Sequence, residues 1–138
     1  LTVRDETDRP LPRADQPLRV VVGTSTLPTS LRVLDDDAPT ALIASRDPAR
    51  VLAELAKQEI RHVWLEGGPR LAGAFWDAGL VDRVVGYVAP ALLGAGRPAL
   101  DGGATTLTDL RHLAIDDLTM VGPDIRVIGT PLARKDHT

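Results

Sequence analysis

The chain contains no cysteine, which excludes disulfides and thiolate metal sites and leaves the redox compartment unspecified. Aromatic residues are nearly as scarce. Only Trp64, Phe75, Trp76 and Tyr87 are present, too few to stack a nucleic-acid strand, and the net charge of −3 offers no footprint for its phosphates. No apolar run approaches the roughly 20 residues that a membrane-spanning helix needs. The N-terminus carries Arg4, Asp5, Glu6, Asp8 and Arg9 in place of the apolar core of a signal peptide. These absences argue against nucleic-acid and membrane partners and make a cytoplasmic location the default expectation. Lysine is confined to Lys57 and Lys135, a bias that, with abundant Ala, Asp and Gly, points to a GC-rich genome more than to a function. Metal chemistry has no visible ligand set. His62, His112 and His137 lack metal-ligand spacing and form no Ser-His-acid constellation, and the run Asp35-Asp36-Asp37 reads as a solvated loop because adjacent carboxylates cannot all face one ion.

What is present suits a single globular domain with a real core: 138 residues, 43% of them hydrophobic. Residues 1–17, with Pro10, Pro12 and Pro17, read as an extended surface segment. Leu18 to Val22 reads as a buried strand closed by Gly23, with Thr24, Ser25 and Thr26 at its carboxyl end, where open α/β sheets bind ligands. A second strand is expected at Ala41–Ser45. Asp47 then caps a helix that has Pro48 at its first position and an apolar face of Val51, Leu52, Leu55 and Ala56. Strands are expected again at Ile60–Leu65 and Arg83–Val88. Leu113–Val121 and Ile125–Ile128 flank Gly122-Pro123-Asp124 as an antiparallel hairpin. The predicted architecture is α/β: a mixed sheet, parallel for most of its width, with the hairpin at one edge.

The stretch around which the rest is organised is Val63 to Phe75. A short apolar run ends in Glu66 and the pair Gly67-Gly68, and Pro69 opens a helix over Leu71, Ala72 and Phe75 that stops near Gly79. Glycines there let the backbone take positive φ and approach a ligand closely, and the helix start would face an anion. An ordinary strand-to-helix turn would use the same residues. Glu66 needs a partner other than an anion, such as a sugar hydroxyl or a ring N–H.

Leu65-Glu66-Gly67-Gly68-Pro69, Leu71 to Phe75, Ala78-Gly79-Leu80-Val81-Asp82, Tyr87 to Pro90 and Leu92-Leu93-Gly94 together resemble the reductase domain of the bacterial riboflavin deaminase-reductases. The resemblance extends from Leu1-Thr2-Val3-Arg4 to the closing hairpin and implies a dihydrofolate reductase-like three-layer sandwich. It implies NADPH-dependent reduction of 5-amino-6-(5-phosphoribosylamino)uracil to the ribitylamino compound, and a homodimer. Leu1, Arg4 and Glu66 then match substrate-binding positions. Thr24 matches a cofactor-side hydroxyl after its strand, and the segment Gly67, Gly68, Pro69, Arg70, Leu71, Ala72, Gly73 and Ala74 matches the one that holds the NADPH phosphates. No proton donor is identified.

Two departures qualify the match. Family members usually have Asp-Ser where this chain has Gly23-Thr24, and their domain begins well before Leu1, so residues 1–138 are expected to be one reductase domain incomplete on its N-terminal side and inactive alone. A zinc deaminase half is likewise not represented. Another NADPH-dependent reductase of the same superfamily and a non-catalytic nucleotide-binding fragment remain the alternatives.

Overall fold

Three consecutive valines have the β-branched side chains that suit a pleated strand, and β1 forms at Arg19–Val22. The structure is a computed structural model that describes residues 2–102, 106 and 110–132. It divides into two units, Leu1–Arg61 and His62–Thr138.

In the first unit β1 pairs in parallel with β2 (Thr40–Ile43), in the register Arg19 opposite Thr40 to Val22 opposite Ile43. The segment between them contains a 3-10 turn at Arg32–Leu34. Helix α1 runs from Pro48 to Ala56, and the Asp47 carboxylate accepts from the Ala49 N–H at 3.0 Å, the cap expected from sequence. Val51 and Leu55 are its buried residues. Its C-terminal end is closed by Glu59 at φ 60°, with Ile60 N–H donating to Leu55 O and Glu59 N–H to Ala56 O. That arrangement usually falls to glycine, so nothing in the residue types announces it.

Two expectations for this unit need correction. β1 is not buried through its valines. Its buried residue is Arg19, 5% exposed, while Val20, Val21 and Val22 are half-buried. Nor is the N-terminal segment simply extended. It doubles back so that Arg4 bridges Pro10 antiparallel, Leu11 N–H donates to Val3 O at 2.9 Å, and Asp5 N–H donates to Arg9 O at 2.8 Å. The reversal passes through Asp8 at φ 61°, a left-handed position that aspartate tolerates. The prolines that suggested a featureless segment sit outside its tip.

In the second unit helix α2 spans Pro69–Asp77. It ends as expected at Gly79, φ 68°, where Leu80 N–H reaches Phe75 O and Gly79 N–H reaches Trp76 O, each at 3.0 Å. β3 (Val84–Val88), β4 (Leu113–Val121) and β5 (Asp124–Pro131) form an antiparallel sheet in the order β3-β5-β4. The predicted hairpin is β4–β5, joined by the two-residue loop Gly122-Pro123 with Gly122 at φ 60°. A bulge at Asp116 breaks its register between Ile115 and Asp117.

Ile60–Leu65 is not a strand. It has strand composition but pairs with no described strand, and a strand exists only through its ladder. Strand pairing among the described residues is therefore one parallel pair and two antiparallel pairs, less parallel than expected within the α/β class.

Candidate functional site

The residues singled out by sequence fall in both units. In the first, Arg4 lies on the doubled-back N-terminal segment, where its Nη1 donates to Asp8 O at 2.7 Å and its Nε stands 3.7 Å from the Asp8 carboxylate. Thr24 is exposed just past β1, and the chain there is anchored by Gly23 N–H donating to Ile43 O at 3.1 Å. Leu1 and His137 lie outside the described residues.

In the second unit, Glu66 is exposed and has no hydrogen bond or ion pair with another described residue. Gly68 is the N-cap of α2, and no side chain caps the helix there. Pro69 has no N–H and Leu71 N–H donates to Gly68 O at 3.0 Å, so the Arg70 N–H is the first-turn donor left at the positive end of the helix dipole. Arg70, one residue into the helix, has a side chain 93% exposed, 3.5 Å from Asp101 Oδ2.

The three glycines of this segment do different things. Neither Gly67 nor Gly68 adopts positive φ, so the expected left-handed turn is absent. A Cβ on Gly67 would come within 2.7 Å of Leu71 Cδ2, so its bare backbone is what lets Leu71 fold back over the turn. A Cβ on Gly68 would meet nothing within 4 Å. Gly73 is a packing glycine, because a Cβ there would lie 2.0 Å from Asp101 O. The Asp101 backbone crosses the helix at that point and its N–H donates to Pro69 O at 3.0 Å. Within Gly67 to Ala74, Gly67, Gly68 and Arg70 are exposed, whereas Gly73 is buried.

Sequence reasoning missed three residues that build this framework. Arg19 uses all five guanidinium N–H groups. Nε donates to Thr40 Oγ1 (3.0 Å), Nη1 to Asp35 Oδ1 (2.9 Å) and Arg32 O (3.4 Å), and Nη2 to Asp35 O (2.7 Å) and Ala38 O (2.9 Å). This bond from Arg19 holds the Asp35 carboxyl below its ordinary pKa. An arginine inside an apolar β-branched run was the available signal, since a buried charge requires partners. Gln16 ties the N-terminal segment through backbone groups alone, which no sequence pattern reveals. Asp101 was foreshadowed by Gly73, because a glycine inside a helix costs about 1 kcal/mol relative to alanine and needs a packing reason.

The run Asp35-Asp36-Asp37 lies in a loop and Asp36 and Asp37 are exposed, but Asp35 is held by Arg19 and is not simply solvated; the described residues contain no group of His, Asp and Glu able to hold a metal. His62 and His112 are not buried. No described helix is long and apolar enough to cross a membrane. At the far end of α2, a cleft of about 470 Å³ is lined by Trp76, Gly79, Arg111 and Leu132 among others, on the opposite end of the helix from Glu66 and Gly68. Arg111 fills its wall, lying 5.8 Å above the Trp76 ring and donating to Trp76 O and Asp77 O.

Comparison with known proteins places this arrangement. Residues 1–126 match the RibD C-terminal domain. The chain belongs to the RibD C-terminal domain family. Within that family, the riboflavin biosynthesis protein RibD of Mycobacterium tuberculosis (strain ATCC 25618 / H37Rv) is 45% identical over 111 residues, covering 80% of this chain and 32% of the relative. A protein of Buchnera aphidicola named 5-amino-6-(5-phosphoribosylamino)uracil reductase is 30% identical over 83 residues, 59% of this chain and 40% of that protein. The Acinetobacter baumannii RibD structure superposes with a TM-score of 0.75 at 25% identity over 86% of this chain and 38% of that one. The chain thus spans about a third of the length of the first RibD relatives it matches, and its fold is that of the α/β, dihydrofolate reductase-like reductase domain of RibD.

Proposed function

We propose that this RibD C-terminal domain serves an NADPH-dependent reductase acting on 5-amino-6-(5-phosphoribosylamino)uracil, a pyrimidine ribosyl phosphate, to give the ribitylamino product in riboflavin biosynthesis. The observation that carries the reading is the family match over residues 1–126. The N-terminus of α2 fits it, since Gly68 has room for an approaching group and brings no capping side chain of its own. NADPH supplies the hydride. The residues that would hold its phosphates are Gly67 to Ala74, with Thr24 on the cofactor side, and Gly73 contributes by keeping the helix seated on the Asp101 segment. Glu66 and Arg4 serve the substrate, Glu66 through a hydroxyl or ring N–H and Arg4 as a planar donor fork for phosphate. Leu1 belongs with them by its match to the family position. The protein works in the cytoplasm as a homodimer.

A pair of substitutions in the protein carrying this domain tests the assignment. Aspartate is a favoured N-cap, and Gly68 has space for it, so Gly68→Asp should leave the fold intact or stabilise it. The same charge should lower NADPH affinity at least tenfold, about 1.4 kcal/mol. Glu66→Gln should raise the pyrimidine KM or lower kcat and leave the NADPH Kd within a few-fold. Unchanged NADPH affinity in the first variant, or collapse of cofactor binding in the second, would overturn the roles assigned to Gly68 and Glu66.

A further inference from the structure

Gln16 is 6% exposed, and each polar atom of its side chain is used on the main chain. Its Oε1 accepts from Val3 N–H at 2.8 Å, and its Nε2 donates to Val3 O at 2.9 Å and to Leu11 O at 2.8 Å. One amide therefore grips both backbone groups of Val3, the residue immediately before Arg4, and ties them to the returning strand at Leu11. The orientation of the amide follows from this pattern. Turned over, it would set its NH2 against the Val3 N–H and its oxygen against two carbonyls. The tip of the turn is fixed separately, by the Asp5 carboxylate accepting from Thr7 N–H, Thr7 Oγ1 and Arg9 N–H at 2.8, 2.7 and 3.0 Å. Arg4 sits between these two fixed points, with its side chain about half exposed and its Nη1 held on Asp8 O.

We propose that Gln16 is a positioning residue for substrate, which sets the backbone of Val3 so that the Arg4 guanidinium meets the substrate phosphate in one preformed place. The inference rests on the proposed role of Arg4 in touching substrate. Its chemistry is specific to glutamine. Asparagine is one methylene short of the span, and glutamate keeps the acceptor for Val3 N–H but loses both donors. A displacement of about 1 Å at a positioning group is enough to cost up to a hundredfold in a reaction that depends on alignment.

The test uses steady-state kinetics of the protein carrying this domain. Gln16→Met is expected to raise the KM for the pyrimidine substrate about tenfold, with kcat within twofold and the NADPH Kd unchanged. A purely structural role would instead lower the folded fraction and so kcat, at constant KM. In an Arg4→Ala background, Gln16→Met should change KM less than twofold further, because residues acting through one another are not additive. If Arg4→Ala by itself leaves KM unchanged, the reading of Arg4 fails and this inference falls with it. If Arg4→Ala raises KM and Gln16→Met does not, or if the two effects simply multiply, only the role of Gln16 is overturned. Should the Gln16 variants not fold, amide hydrogen exchange on the unaltered protein decides. The Val3 amide is expected to be protected about a hundredfold without substrate, and free exchange there would refute a preformed position.

Discussion

In the first unit, loops are ordered by buried polar side chains that reach backbone carbonyls: Arg19 holds residues 32–38, and Gln16 holds Val3 and Leu11. In the second unit the devices are different. Helix α2 is fastened to the Asp101 segment by the lack of a side chain at Gly73, and the sheet carries a half-buried arginine, Arg126, whose Nε is buried. Arg126 pairs with Asp117 across the hairpin at 3.0 Å, yet its side chain is 34% exposed and its Nε has no hydrogen-bond partner. The two arginines are alike in charge and in having a carboxylate partner. They differ in what water can do when the partner is removed. Around Arg19 the orphaned groups are three carbonyls, the buried one of Ala38 among them, with the Thr40 hydroxyl and the Asp35 carboxylate, whereas at Arg126 the one side-chain acceptor left is the Asp117 carboxylate, 42% exposed.

That contrast is most exposed to failure at Arg19. Arg19→Met is expected to destabilise the fold by about 3 kcal/mol, measured by urea unfolding, since breaking a buried charged network leaves several acceptors unpaired. Arg126→Met should cost less than about 1 kcal/mol. Equal costs at the two positions would dissolve the distinction.

A smaller effect is expected where packing alone is at stake. Gly73→Ala should cost about 2 kcal/mol, because its Cβ would overlap the Asp101 carbonyl and the Asp101 segment must shift. Gly68→Ala, with open space around it, should cost about 0.5 kcal/mol through poorer capping. Similar losses at both positions, read from thermal midpoints, would mean that Asp101 is not seated on the helix.

The weakest difference is electrostatic. Asp35 is lowered chiefly by Arg19, Asp117 chiefly by Arg126, and Asp5 chiefly by the Arg9 N–H. In each case the folded state binds a proton less readily than the unfolded chain. The stability these groups contribute is therefore complete above the ordinary carboxylate pKa of about 4, and is lost as pH falls through the depressed folded values. The acid limb of an unfolding curve below pH ~4 should flatten in Asp35→Asn and in Asp117→Asn. An unchanged limb in both would show that other groups govern acid unfolding.

Much of this is legible in the residues. Asp47-Pro48, Gly79 and Gly122-Pro123 announce their helix ends and hairpin because caps and turns are decided by local chemistry. The Glu66 to Ala74 segment stands out for the same reason, and its helix begins at Pro69 as expected. The failures lie where structure depends on a distant partner. Ile60–Leu65 looks like a strand because composition cannot supply a neighbouring strand. Residues 1–17 look featureless because the grip of Gln16 on Val3 spans 13 positions and ends on backbone atoms. Arg19 reads as one charge in an apolar run, although the oddity of its position is the clue.

Three of the five acceptors around Arg19 are main-chain carbonyls, those of Arg32, Asp35 and Ala38. A carbonyl is the same whatever side chain its residue bears. The segment from residue 32 to residue 38 is consequently open to drift in composition at the exposed Arg32, whereas Ala38, 1% exposed, must stay small, and the segment's length is fixed by the reach of one guanidinium. Evolution can rewrite much of that loop, but it cannot easily insert into it or shorten it.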